Sequence, residues 1–221
     1  MAEGDSDHPD DYRGGNDYQH HWHTRNRAML GAMVGARRGL PVQGTALLAV
    51  AGNAADAASA VRAGAALVDL GMADPAVTSA FRASHPGILV CAACEQADVV
   101  RDPAMALRTG AILICAGLPA AAGALVPRSQ LLVDVRPAML PRAIAAGYAA
   151  LVDLRDGPDH GLDAGLDAGP DAGSLAIAAI CAWLGVAVVR TSHPRQVRRA
   201  LDMAESIRGT RPPARTVRGL A

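Results

Sequence analysis

The sequence contains no lysine: all 21 basic residues of the 221 are arginine. A phosphate-loop lysine, a lysine Schiff base and a lysine general base are therefore excluded, because arginine stays protonated and replaces none of them. Aromatic residues make up only 3% of the chain while hydrophobic residues reach 51%, so the core must be built from small and aliphatic side chains packed closely. The 21 acidic residues cancel the arginines to a formal charge of zero, which argues against attraction to nucleic acid or to anionic membranes. No apolar run reaches the roughly 18 to 20 residues that a membrane span needs. The opening MAEGDSDHPDDYRGG lacks the basic start and apolar stretch of a secretory leader. A cytoplasmic protein with neither nucleic-acid nor membrane partners is expected.

What is present is an alternation. Residues 1–25 are polar and without apolar period, and read as a tail. In 26–38, Met29, Leu30, Met33 and Val34 fall at helical spacing and predict a short amphipathic helix. From Thr45 onward, short apolar runs alternate with Ala-rich helical stretches. The runs are ALLAV (46–50), ALVDL (66–70), ILVC (88–91), AILIC (111–115), LLVDV (131–135), ALVDL (150–154) and VAVVR (186–190). Most are continuously apolar, as strands buried on both faces are. Gly64, Gly110, Gly147 and Gly185 precede strands and are expected to stop helices in the left-handed conformation. The stretch 96–110, QADVVRDPAMALRTG, reads as one helix.

Strand–helix alternation predicts an α/β protein, a (β/α)8 TIM-type barrel over 26–209 with an Arg/Pro-rich tail at 210–221. Seven units are visible, so the barrel is expected to be trimmed or incomplete, with GALV (123–126) a vestige of the eighth. Several strands end on polar or small residues, including Asn53, Asp69, Cys94, Asp134, Asp153 and Arg190, and in a barrel such ends gather at the ligand-binding mouth. Strand-end aspartates also cap helices, and an inward Asp–Arg pair can be purely structural. The repeat GLDAGLDAGPDAG (161–173) lacks the spacing of known calcium loops and reads as an expanded loop. Cys91 and Cys94 have CxxC spacing, but buried structural thiols are preferred to a redox pair or half of a zinc site. His20, His21 and His23 lie in the polar tail, which is too polar to fix a metal geometry.

The run SLAIAAICAWLGVAVVRTSHPRQVRRALDMAESIRG resembles the last helix, strand and helix of the dihydropteroate synthase family of pterin-binding barrels. GAALVDLGM is similar to that family's second strand, and LLVDVRP to its Leu-Asp-Pro-Gly strand; order and spacing fit over 45–209. The resemblance implies that Asp134 is the carboxylate that hydrogen-bonds the pterin ring, that Asp69 ends strand two, and that Arg190 grips the anionic part of the substrate. It also implies magnesium as cofactor wherever the family's condensation of pterin pyrophosphate with 4-aminobenzoate is retained, and homodimers, or pairing with a true synthase, as assemblies.

The departures from the pattern bear on activity. AVAGNAAD stands where the family has Asn-Val-Thr-Pro-Asp-Ser-Phe, leaving Asn53 as an out-of-register relic of the magnesium-contacting Asn. LVDLRDG (151–157) replaces the Ser-Arg-Lys segment, with Arg155 supplying charge in another geometry. ILVCAAC stands for Ser-Ile-Asp-Thr and ILICAGL for Asn-Asp, while the His of Arg-x-His is Ser192, with His193 shifted by one position. Each lost partner costs roughly 1 to 3 kcal/mol of binding to a buried polar ligand. The expectation is a degenerate pseudoenzyme with weak or lost synthase activity. Asp134, Asp69, Arg190, Asn53 and His193 would line its ligand site, for a pterin-like or other small anionic ligand. The alternative is a non-catalytic barrel that binds another small molecule or a partner subunit.

Overall fold

The computed structural model describes residues 44–119, 126–155 and 170–211. Eight parallel strands close into a barrel in sequence order: β1 Ala46–Val50, β2 Leu67–Gly71, β3 Leu89–Ala92, β4 Val99–Val100, β5 Ile112–Ala116, β6 Leu131–Asp134, β7 Ala149–Asp153 and β8 Val188–Thr191. The ring is sealed by β1 against β8, with Ala46 opposite Val188 and Leu48 opposite Arg190. The helices among the described residues are α1 Ala54–Arg62, α2 Pro75–Ser84, α3 Pro103–Thr109, α4 Leu140–Ala145, α5 Ala172–Leu184 and α6 Pro194–Ile207. The amphipathic helix expected at 26–38, the tail histidines, most of the Asp-Ala-Gly repeat and the Arg/Pro-rich end lie outside the described residues.

The barrel is therefore complete, which corrects the expectation of a missing unit. Its eighth strand is β4, inside the stretch read as a single helix, and not GALV (123–126), of which only Val126 is described. A two-residue strand has no period to recognise. It is held in place by Asp98, a carboxylate buried to 3% exposure. Asp98 accepts from the Val90 N–H at 3.1 Å and from Arg82 Nη2 at 2.8 Å, while its own N–H donates to the Val90 carbonyl at 2.8 Å. The helix starts only at Pro103, after Asp102 has capped it through the Ala104 N–H.

Alternation along the strands separates two apolar layers. Leu48, Leu67, Val99, Ile112, Leu132 and Leu151 belong to one cluster inside the barrel, whereas Leu47, Val68, Val90, Leu113, Val133 and Val152 belong to the layer between strands and helices. Each fully buried aliphatic side chain contributes about 1.5 to 3 kcal/mol, so burial on both faces is the main force on the sheet. The four glycines expected to stop helices all have positive φ, from 70 to 93°. At Gly185, φ 71° ends α5 and returns the chain to the start of β8, a turn that a β-carbon would strain.

Candidate functional site at the barrel mouth

The same alternation fixes which side chains crown the interior. Two residues beyond Leu67, Leu89, Val99, Leu132, Leu151 and Val188 in the inner cluster come Asp69, Cys91, Arg101, Asp134, Asp153 and Arg190. The ladder confirms the shared level, since Asp69 is opposite Cys91 and Asp153 is opposite Arg190. The strands' C-terminal ends thus carry a charged layer above an apolar plug, at the end of a TIM barrel where ligands bind.

Most of these charges are joined. Arg101 Nη2 donates to Asp69 Oδ2 at 3.1 Å, and Arg190 Nη2 donates to the same oxygen. Arg190 Nη1 reaches Asp153 Oδ2 at 3.0 Å, and Arg155 grips Asp153 through Nε to Oδ1 at 3.0 Å and Nη2 to Oδ2 at 2.7 Å. The result is a continuous ladder, Arg101–Asp69–Arg190–Asp153–Arg155, running from β4 through β2 and β8 to β7. Asp69 Oδ1 accepts the Gly71 N–H at 2.9 Å. Burial works against the charge on Asp69, but the Gly71 N–H and the Arg190 and Arg101 guanidiniums outweigh it and hold the carboxyl below its ordinary range. Burial likewise opposes the charge on Asp153, and the Arg155 hydrogen bonds, then the charges of Arg155 and Arg190, keep that carboxyl low as well.

The residues expected at the site separate. Asp69 and Arg190 meet directly. Asp134 is half-buried at the end of β6, on the same inner row, and its carbonyl accepts the Gly117 N–H at 2.8 Å. Asn53 does not join them: it is the N-cap of α1, where Oδ1 accepts from the Ala55 and Asp56 N–H groups at 2.9 Å and Nδ2 donates to Asp56. His193 precedes α6 and binds Thr191 Oγ1 through its backbone N–H at 3.0 Å, outside the ladder. Arg101 went unnoticed because it sat in a stretch read as helix. The available signal was parity, since it lies two residues after the inward Val99.

The cysteines do not act as a pair. Cys91 packs inside the barrel and Cys94 in the layer outside it, its Sγ 3.5 Å from Thr78 Oγ1. Burial, reinforced by the charge of Asp69, pushes the Cys91 thiol up to about 12, so it is neither a nucleophile nor a ready metal ligand at neutral pH. Magnesium does not fit either. The Asn53 carboxamide oxygen already accepts two backbone donors, and among the described residues no group of three or more His, Cys, Asp or Glu could hold a metal ion.

Comparison with known proteins adds a local likeness in sequence and a broader one in fold. The chain is 52% identical over 48 residues to a protein of Mycobacterium leprae named inactive dihydropteroate synthase 2. Over that segment the chain is similar to the dihydropteroate synthase family. The 48 matched residues are 22% of this chain and 16% of that relative, so the chain matches only a small part of the curated relative's length. No family model matches. Solved dihydropteroate synthases share the fold across most of the chain. That of Yersinia pestis is 17% identical with TM-score 0.61, covering 79% of this chain and 97% of its own. That of Vibrio fischeri is 14% identical with TM-score 0.65, covering 81% and 98%. The chain thus shares the barrel fold of these solved proteins at low sequence identity. No helix among the described residues is long and apolar enough to cross a membrane.

Proposed function

We propose that the chain is a dihydropteroate-synthase-like pseudoenzyme related to folate biosynthesis, a barrel that keeps a pocket for a pterin-like small ligand and has lost the condensation of pterin pyrophosphate with 4-aminobenzoate. The observation that carries this is the ladder at the mouth: Arg190, which the resemblance assigns to the anionic part of the substrate, is bound to Asp69, which it matches to the end of strand two. A group already neutralised by its neighbour stabilises a departing pyrophosphate poorly, because that work needs donors aimed at charge that develops only in the transition state. The lack of lysine and the commitment of Asn53 to a helix cap remove two further contributors. The name of the Mycobacterium leprae relative, which calls it inactive, supports the same reading.

The proposed ligand site comprises Asp134, Asp69 and Arg190. Its test is calorimetric titration with pterin pyrophosphate and magnesium, beside an assay for the condensation product. Saturable binding that Asp134→Ala abolishes, without product, is the expected result. Product formation at an ordinary synthase rate would refute the loss of catalysis, and no heat from a folded sample would refute the pocket.

Pairing with a second copy, or with a true synthase, is supported by apolar side chains left open on the two last helices: Ile180 and Trp183 on α5, Met203 and Ile207 on α6. Sedimentation at micromolar concentration would show it. A cytoplasmic location suits the four cysteines, all of them free.

A further inference from the structure

Arg101 reaches Asp69 across an intervening strand. It follows β4, Asp69 stands near the end of β2, and β3 lies between them, with Cys91 opposite both Asp69 and Val99. The guanidinium therefore passes over Cys91: Nη2 donates to Asp69 Oδ2 at 3.1 Å, and Nη1 lies 4.0 Å from Cys91 Sγ. Cys91 is 1% exposed and the Arg101 side chain 46%, so the thiol is the floor and the arginine its cover. Leu67, Leu89 and Val99 of the inner cluster continue that floor. The cover is lightly held. Without it Asp69 keeps the Gly71 N–H at 2.9 Å and Arg190, and Arg190 is held a second time by Asp153 at 3.0 Å. Arg101, among the described residues, pairs with one carboxylate.

A guanidinium is flat, carries N–H donors along its edge and is weakly hydrated. An amino-substituted nitrogen heterocycle has the same shape and the same edge: donors for a carboxylate, and faces for an apolar floor. We propose that Arg101 is an autoinhibitory side chain, which from within the chain takes the place, above Cys91 and beside Asp69, of a flat heterocycle with edge N–H donors. Such a ring enters when Arg101 turns out to solvent and gives up its bond to Asp69. The proposal rests on the mouth being a ligand site and adds which residue controls entry to it. Because the Arg101 pair is half-exposed, it is displaced at small cost, so it weakens binding of the ring without abolishing it. The family resemblance assigns Arg101 no role; the short strand β4 brings it to the mouth.

The test is calorimetric titration of the full chain with a phosphate-free pterin, in the wild type, Arg101→Ala and Arg101→Met. The two variants lose the same charge and the same bond to Asp69, but methionine keeps an unbranched apolar chain over the floor. Arg101→Ala is expected to bind the pterin about fivefold tighter than the wild type, the factor that release of one half-exposed ion pair supplies. Arg101→Met is expected to show no such gain. Circular dichroism melts of the ligand-free variants verify that each is folded. Equal gains in both variants would reduce the effect to charge and overturn the occupancy. Unchanged or weaker binding by a folded Arg101→Ala would overturn the autoinhibitory role. Absence of heat from all three proteins would overturn it as well, and in that case heat from pterin pyrophosphate that Asp134→Ala abolishes would leave the pocket reading intact.

Discussion

At the end of the barrel where the strands begin, Arg198 donates to the Thr45 carbonyl at 3.2 Å and to Glu205 Oε2 at 3.1 Å, and Glu205 Oε1 accepts the Thr45 N–H at 2.7 Å. At the other end, Arg101, Asp69, Arg190, Asp153 and Arg155 form a longer chain of the same chemistry. The lower network is closed on backbone: it ties the first strand to the last helix, and a β-carbon at Gly44 would collide with the Glu205 carboxylate. The upper ladder is anchored to backbone at Asp69 through Gly71 and at Asp153 through the Arg155 N–H, its guanidiniums pair with the Asp69 and Asp153 carboxylates, and its ends are partly exposed. Charges spent on backbone serve closure of the fold, whereas charges held by other charges at the half-open end are those that the proposed function assigns to a ligand. This matches the division of a TIM barrel into a stability face and a functional face.

Substitutions should break this contrast in a definite order. Glu205→Ala leaves the Thr45 N–H without an acceptor and Arg198 with only Asp202 and the Thr45 carbonyl, and is expected to cost about 2 to 4 kcal/mol, or roughly 8 °C in melting temperature. Urea denaturation would measure it, and a loss below 1 kcal/mol would demote the lower network from its closing role. Arg190→Ala removes the centre of the upper ladder, yet Asp69 keeps Arg101 and Asp153 keeps Arg155. A smaller loss of about 1 to 3 kcal/mol is expected. The two carboxylates also give the upper end a signature in pH. Their folded pKa values lie below the ordinary 3.8, so their stabilisation is fully present above that value and is lost as pH falls through the lower folded values. Melts of the wild type and of Asp69→Asn between pH 7 and pH 2 should converge at the acid end; a constant gap would contradict the assignment. Arg101→Gln, at a half-exposed end, should cost less than about 1 kcal/mol of stability.

The sequence disclosed the two ends unequally. Apolar runs doubly buried in a parallel sheet, and glycines that stop helices, give strong signals, so β1, β2, β5, β6 and β7 and the glycines at 64, 110, 147 and 185 were legible within a residue or two. β4 was not, because Val99–Val100 is too short to show a period and its position depends on Asp98 contacting Val90 and Arg82 from distant segments. Missing β4 also hid Arg101, whose inward direction follows only once Val99 is known to face the barrel interior. Asp69 and Arg190 could be picked out as strand-end residues, but that they would bind each other depended on β1 standing between β2 and β8 in a closed ring. Asn53 illustrates the opposite case. An Asn beside an Ala-rich helix is a cap by local chemistry alone, and that local reading describes its contacts better than its resemblance to a metal-contacting residue.

The most direct measurement of this division of labour is the melting-temperature shift induced by pterin pyrophosphate in the wild type, Arg190→Gln and Glu205→Gln. The account predicts that Glu205→Gln melts lower without ligand but retains the wild-type shift, while Arg190→Gln loses most of it. A full shift in Arg190→Gln, or its disappearance in Glu205→Gln, would contradict the claim that the upper ladder serves the ligand and the lower network serves the fold.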